Sequence, residues 1–318
     1  MKSLTYFLFS TALFAQQPIV DNARLDTRPY TGSLSAMLGQ FGGGPWWAGY
    51  AEPMIPGRHG DMCDGRSNGT VRLEGPTTLV ILVRMETGKV DQLKVVSIDC
   101  RLDGGGLPFH WITNVPPAES VNWLKSQVIV ERPDRALSAI ALHAGPASDQ
   151  ALDDFTAANQ PARIREKAAF WLGVTRGLKG VEKLRQLLAS DPDDKFRSKV
   201  IFALSQSSDQ SGMAAVIEAA RNDRSPYVRG QALFWMAQKA GKSQADAIRN
   251  AARDDPDRSV KERAVFALSQ LPADEGVPRL IDVARSNPDP AVRKKAMFWL
   301  GQSKDQRAVE FFAQVLKQ

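Results

Sequence analysis

Five phenylalanines, Phe170, Phe202, Phe234, Phe266 and Phe298, stand 32 residues apart. The residue after each alternates in bulk: Trp171, Ala203, Trp235, Ala267, Trp299. A fixed period of this size dictates a stacked array, because one short unit cannot bury its apolar face alone. Other positions keep the same phase. Arg165, Arg197, Arg229, Lys261 and Arg293 precede the phenylalanines, and Ile164, Phe196, Val228, Val260 and Val292 precede those cations. Four of the five follow breaks, "DPDDKF", "DRSPYV", "DPDRSV" and "NPDPAV". Asp and Asn cap helix starts and Pro suits a first turn, so a helix of about twelve residues is predicted after each break. A second helix fills each period. Val181, Met213, Ala245, Val277 and Val309, with Leu184, Val216, Ile248, Leu280 and Phe312 three residues on, mark its apolar face.

The run Asp255, Val260, Lys261, Ala264, Ala267, Leu268 and the run Asn287, Val292, Arg293, Ala296, Trp299, Leu300, Gly301 resemble the second helix of HEAT repeats in their short bacterial form. The resemblance covers residues 161–318, and a shortened unit starts the array near residue 132. It implies an α-solenoid over residues 131–318. It also implies a ladder of hydrogen bonds between the Asp and Arg of successive units, carried here by Asp191, Arg197, Asp223, Arg229, Asp255 and Arg293. Lys261 and Asn287 depart from that pattern.

At about 100° per residue, taking the apolar position before each cation as zero, Trp or Ala falls near −20° and Phe near −120°. Trp171, Trp235 and Trp299 are therefore expected in the core, with Ala203 and Ala267 complementing their bulk. The Phe row fits two arrangements: packing sideways between neighbouring helices, or lining the concave surface as a partner-binding stripe.

Residues 16–130 read as a small β-rich domain capping the array, so the whole is α+β. "TTLVILVRMETGKVDQLKVVSID" is a hairpin about "ETGK", and Pro116 or Pro117 opens a helix. Trp46, Trp47 and Tyr50 are read as packing under the hairpin or forming a surface patch. Residues 1–15, "MKSLTYFLFSTALFA", have the layout of a signal peptide, with a buried N-terminal element as the alternative. The apolar run is too short to span a bilayer, which takes about 20 residues. Export, to the periplasm or beyond, makes Cys63 and Cys100 a disulfide candidate; otherwise they are two buried thiols. Asn68 opens an Asn-Gly-Thr acceptor triplet. His59, Asp61, Cys63, Asp64 and His110 fit no zinc spacing, and "GQFGGG" lacks the Lys-Ser/Thr of a phosphate loop.

No nucleophile motif stands out and no cofactor is implied, so the expected protein is not an enzyme. Charge is uneven. Residues 161–318 hold 28 Lys and Arg against 19 Asp and Glu, while residues 1–160 hold 13 against 16. Arg224, Arg258, Arg263, Lys294 and Lys295 stand outside the ladder, either as a solvated outer face or as a dock for an acidic protein. The expected function is a protein-binding scaffold of the cell envelope. The competing classes are a basic nucleic-acid binder, which export opposes, and an accessory protein like the HEAT-like pigment lyases.

Overall fold

A computed structural model describes residues 17–56, 63, 77–129, 133–239 and 241–317. Residues 1–15, His59, Asp61, Asp64 and Asn68 lie outside the described residues. The chain divides into two compact units, Met1–Ala151 and Leu152–Gln318.

In the first unit the predicted hairpin is β4 (Thr78–Glu86) and β5 (Lys89–Ser97). Thr87 and Gly88 join them at φ 51° and 75°. Two positive φ values make a tight turn whose twist matches the strands, and Gly88 adopts its value with no Cβ clash. Strands β2 (Arg24–Pro29), β3 (Trp46–Pro53) and β7 (Pro108–Thr113) complete a five-stranded sheet in the order β2-β7-β3-β4-β5. β7 runs parallel to β2 and β3, and the β3-β4-β5 pairs are antiparallel. A separate two-stranded sheet pairs β1 (Ile19–Asp21) with β6 (Arg101–Asp103).

Alternation along the strands divides the core. Val80, Leu82, Val96, Phe109 and Trp111 bury one cluster, with Trp47 packed against it. Trp46, Ala48 and Tyr50 alternate with that face and are buried, so the "WWAGY" aromatics are core and not a surface patch. Around the sheet stand helices α1 (Leu34–Gly39), α2 (Pro117–Ser126) and α3 (Asp134–Leu142). The Leu34 N–H donates to Glu119 at 2.8 Å, tying α1 to α2.

Cys63 and Cys100 are joined as a disulfide, with Cα atoms 5.4 Å apart and 37 residues of separation. Asp99 lies beside the sulfurs, but sulfurs bonded to each other are not thiolate ligands. The loop-entropy relation gives roughly 3–4 kcal/mol for a closed loop of this length. Reduction should therefore lower the urea midpoint of the full chain, and thiol labelling of unreduced, denatured protein should find no free cysteine. Labelling of both residues would rule the bridge out.

In the second unit each period folds as two helices. One layer comprises α5 (Ala162–Thr175), α7 (Asp194–Ser205), α9 (Pro226–Lys239), α11 (Arg258–Ser269) and α13 (Pro290–Gln302). The other comprises α6 (Gly177–Ser190), α8 (Gln210–Asn222), α10 (Ala245–Asp254), α12 (Ala273–Ser286) and α14 (Gln306–Val315). A further helix, α4 (Pro146–Thr156), crosses the division between the units. Asp193, Asp257 and Asp289 cap the starts of α7, α11 and α13, each accepting the N–H two residues on at 2.8–2.9 Å. Ile164, Phe196, Val228, Val260 and Val292 are all buried. Helices approach more closely in the α5–α13 layer than in the other, so the array curves toward it. Gly173 permits one such approach, since a Cβ there would lie 2.2 Å from the Ala203 carbonyl oxygen. Val309, expected on a buried face, is 55% exposed because no further helix pair among the described residues covers α14.

Candidate functional site

The 32-residue period brings the Phe and Trp side chains together along the α5–α13 layer. Phe170 stacks with Phe202 at 5.8 Å between centroids, and Phe202 meets Trp235 at 4.7 Å. Phe234 stacks with Phe266 at 6.1 Å, and Phe266 meets Trp299 at 5.2 Å. Within each helix the adjacent Phe and Trp meet edge-on at 5.1–5.3 Å. Trp171 thus connects to Phe298 through one unbroken ribbon of eight rings.

The tryptophans are not core. Ala203 and Ala267 are fully buried, whereas Trp171, Trp235 and Trp299 are half-buried. The Cβ position is interior, as the helical wheel predicts, but an indole is too large for the gap between helices. Trp235 and Trp299 slide outward over the Phe of the preceding unit. The alternation of Trp and Ala is therefore a surface pattern repeating every two units. Phe170, Phe202, Phe234 and Phe266 are likewise half-buried, and Phe298 is 53% exposed. The Phe rings pack against neighbouring units, as the first arrangement expects, and they still present an edge to solvent.

A buried ionic ladder links successive units. Arg197 donates to Asp223 at 3.0 and 3.2 Å, and Arg229 donates to Asp255 through two bonds of 2.9 Å. Arg165 pairs with Asp191 and stacks 3.7 Å over the Phe196 ring. Each carboxylate accepts from the Arg of the preceding unit. The Arg of its own unit instead reaches main-chain oxygen: Arg197 to Asp191 and Arg229 to Asp223, both at 2.9 Å, and Arg293 to Asn287 at 2.7 Å. Asp255 is the last carboxylate in the series. Lys261 makes no bond to Asn287, whose amide donates to the Ala252 carbonyl at 2.8 Å.

The cations outside the ladder differ in their engagements. Arg258 pairs with Asp289 at 2.8 Å, and Arg224 donates to the carbonyls of Ala189 and Asp191. Arg263 lies 5.9 Å over Tyr227, and Lys295 6.0 Å over Phe298.

The first unit holds a polar cluster that motif reading missed, because its members are scattered through the sequence. The Ser120 hydroxyl lies 2.8 Å from His143 Nε2 and 3.0 Å from the Tyr50 hydroxyl. His143 Nδ1 lies 2.7 Å from the Ala139 carbonyl and so carries the proton. A Ser–His contact of this length suits a nucleophile and its base, but Ser120 and His143 are 0% exposed and no substrate can reach them. Glu52, on the same strand face as Tyr50, is 1% exposed, and neither carboxyl oxygen has a partner among the described residues. Burial pushes its carboxyl up to about 8, and burial also raises the Tyr50 hydroxyl. His110 stacks on Phe41 at 4.0 Å and lies 3.3 Å from Asp26; burial lowers its imidazole.

Paired helices in register, joined by an Arg–Asp ladder, define an α-solenoid, a helical repeat scaffold. A family model described as HEAT repeats matches residues 149–237, 181–269 and 245–318, and the chain belongs to that family. No curated protein matches the chain. Among solved structures it is similar to human deoxyhypusine hydroxylase in complex with glycerol, at 17% identity and TM-score 0.32, over 64% of this chain and 80% of that one. It is similar to the CpcE–CpcF complex of the phycocyanin lyase from Nostoc sp., at 23% and 0.37, over 49% and 99%. It is also similar to a structure of Kap95p with RanGDP, at 17% and 0.39, over 64% of this chain and 32% of that one. At these identities and scores none of the three speaks to what the chain binds. No helix among the described residues is long and apolar enough to cross a membrane.

Proposed function

We propose that the chain is a non-enzymatic, exported scaffold of the cell envelope that grips a protein or peptide on the inner, aromatic face of its solenoid. The observation that carries this reading is the ribbon from Trp171 to Phe298. Eight contiguous rings on a curved surface, half-buried yet solvent-facing, are far more apolar area than a solvated helix face needs. A few residues carry most of the energy of protein association, and Trp is enriched among them. HEAT repeats generally serve protein interaction, in keeping with the reading.

The test is affinity capture from an envelope fraction with the full chain, beside the Phe202→Ala/Phe234→Ala double variant. A partner held by the parent should be lost at least tenfold by the variant. The variant's far-ultraviolet circular dichroism should be unchanged, because both rings are only half-buried. Equal capture by the two proteins would overturn the assignment of the ribbon.

A further inference from the structure

The charge of the second unit is segregated by layer, and the aromatic layer holds nearly all of the excess. Helices α5, α7, α9, α11 and α13 carry fourteen Lys and Arg against three Asp and Glu, a net of +11. Helices α6, α8, α10, α12 and α14 carry nine against eight, a net of +1. Arg165, Arg197, Arg229 and Arg258 are neutralised by Asp191, Asp223, Asp255 and Asp289, which lie outside these helices, and this leaves +7 on the aromatic layer. In the opposite layer cations pair across neighbouring helices: Arg185 with Glu218, Arg249 with Asp282 at 3.4 Å, and Arg279 with Asp246 at 3.0 Å. In the aromatic layer Arg163, Lys195 and Lys294 are exposed and have no ion-pair partner among the described residues. Helical spacing sets these cations on the N-terminal side of the ribbon: Arg163 and Lys195 stand seven residues before Phe170 and Phe202, and Lys294 four before Phe298.

On the other side stands a row of amides. Gln206, Gln238, Gln270 and Gln302 each follow their Phe by four residues, one helical turn along the same face. Gln206 and Gln270 are held by Ser205 and Ser269 at 3.0 and 3.2 Å. Beside Gln270 and Gln302 a groove of about 280 Å³ opens between α11, α12 and α13, and Trp299 lines it. The Trp299 Nε1–H is buried with no acceptor among the described residues, so it is the indole ring and not its N–H that the groove presents.

We propose that this layer docks an extended acidic polypeptide segment carrying interspersed apolar residues. The proposal rests on the scaffold reading above and names its partner's chemistry. Apolar side chains of the segment meet the ring edges, and its carboxylates meet Arg163, Lys195 and Lys294. Its main-chain groups pair with the regularly spaced amides, each of which offers both a donor and an acceptor. Seven ring-to-ring steps of 4.7–6.1 Å trace a turning path of roughly 37 Å, so the ribbon spans at most about eleven extended residues. A single nucleic-acid strand fits less well. Base stacking needs open ring faces. Here Phe170 and Phe202 lie 16° apart in plane, and Phe234 and Phe266 2° apart, so their faces are turned to each other.

The probe is a fluorescein-labelled peptide of about twelve residues built from Glu, Leu and Pro, the prolines keeping it extended. Its controls are the same peptide with Lys for Glu, and a single-stranded DNA oligonucleotide of the same length. Fluorescence anisotropy against the full chain should show binding of the acidic peptide, at least tenfold weaker binding of the basic one, and loss of affinity as salt screens the exposed cations. Lys195→Glu/Lys294→Glu should weaken binding at least tenfold, and Gln238→Ala/Gln270→Ala about fivefold per amide. If both peptides bind equally, and both are lost in Phe202→Ala/Phe234→Ala, the acidic inference falls while the scaffold reading stands. If the Phe variant binds like the parent, or DNA binds more tightly than the acidic peptide, both readings fall.

Discussion

Arg197→Ala should destabilise the second unit by roughly 3–5 kcal/mol, the range for breaking a buried ion pair. Arg197 is 1% exposed, and four hydrogen bonds hold it: two to Asp223 and two to the carbonyls of Asp191 and Pro192, at 2.9 and 3.2 Å. Truncation strands a carboxylate that is itself 5% exposed, with the Ser225 N–H at 2.8 Å its one remaining hydrogen-bond partner among the described residues. The loss should exceed that of the neighbouring exposed pair, since Arg185→Ala removes a contact worth about 1 kcal/mol or less. Each ladder pair links one unit to the next, so the variant should also broaden the urea transition as well as lower its midpoint. Asp223→Asn added to Arg197→Met should recover part of the loss, because the amide oxygen can still accept from Ser225 without a charge. A loss below about 1 kcal/mol in Arg197→Ala would mean that the pair contributes nothing net, as buried pairs sometimes do.

The ladder also marks how far the sequence could be read. Periodicity identified the helix pairs and the capping Asp residues, because one period repeated five times outweighs any local ambiguity. It did not give the direction of each bond. Asp191 lies six residues from Arg197 in sequence, yet its carboxylate accepts from Arg165, 26 residues earlier. That choice is made by the stacking of units, which sequence separation does not encode. The tryptophans failed for a related reason. A helical wheel places Cβ atoms and not ring volumes, and the space beside Ala203 and Ala267 is too small for an indole. The hairpin at Thr87 and Gly88 was legible because two β-rich runs flank a short turn that contains glycine, although Thr87 at φ 51° is not a residue such a turn favours. The buried cluster of Tyr50, Ser120 and His143 was not legible, since its members come from a strand, a helix and the residue that ends another helix, which only the fold brings together. The amide row was open to reading at the same 32-residue period as the phenylalanines, and the charge excess resolves into layers only once the helices are assigned.

Glu52 should make the first unit less stable as pH rises from about 4.5 to about 8. Its carboxyl has a reference value of 4.5 and is pushed up to about 8 by burial, with neither oxygen partnered among the described residues. Between those limits the folded state keeps a proton that the unfolded chain has released. Stability is therefore complete below the lower limit and is lost toward the upper one, by at most about 1.4 kcal/mol per pH unit. Over the whole window that is roughly 4–5 kcal/mol, an upper bound. Glu52→Gln should flatten the dependence while leaving two polar atoms buried without partners. Glu52→Met, of similar volume, should flatten it and also raise stability at pH 5, because an unsatisfied buried polar group costs about 1–3 kcal/mol. Urea unfolding of the full chain at pH 5, 6.5 and 8, read from an indole buried in the first unit such as Trp111 or Trp123, isolates the effect as the difference between parent and variant. Parent and Glu52→Met profiles that run parallel from pH 5 to pH 8 would show that the carboxyl ionises in the folded state without cost, and that solvent or a neighbouring group reaches it.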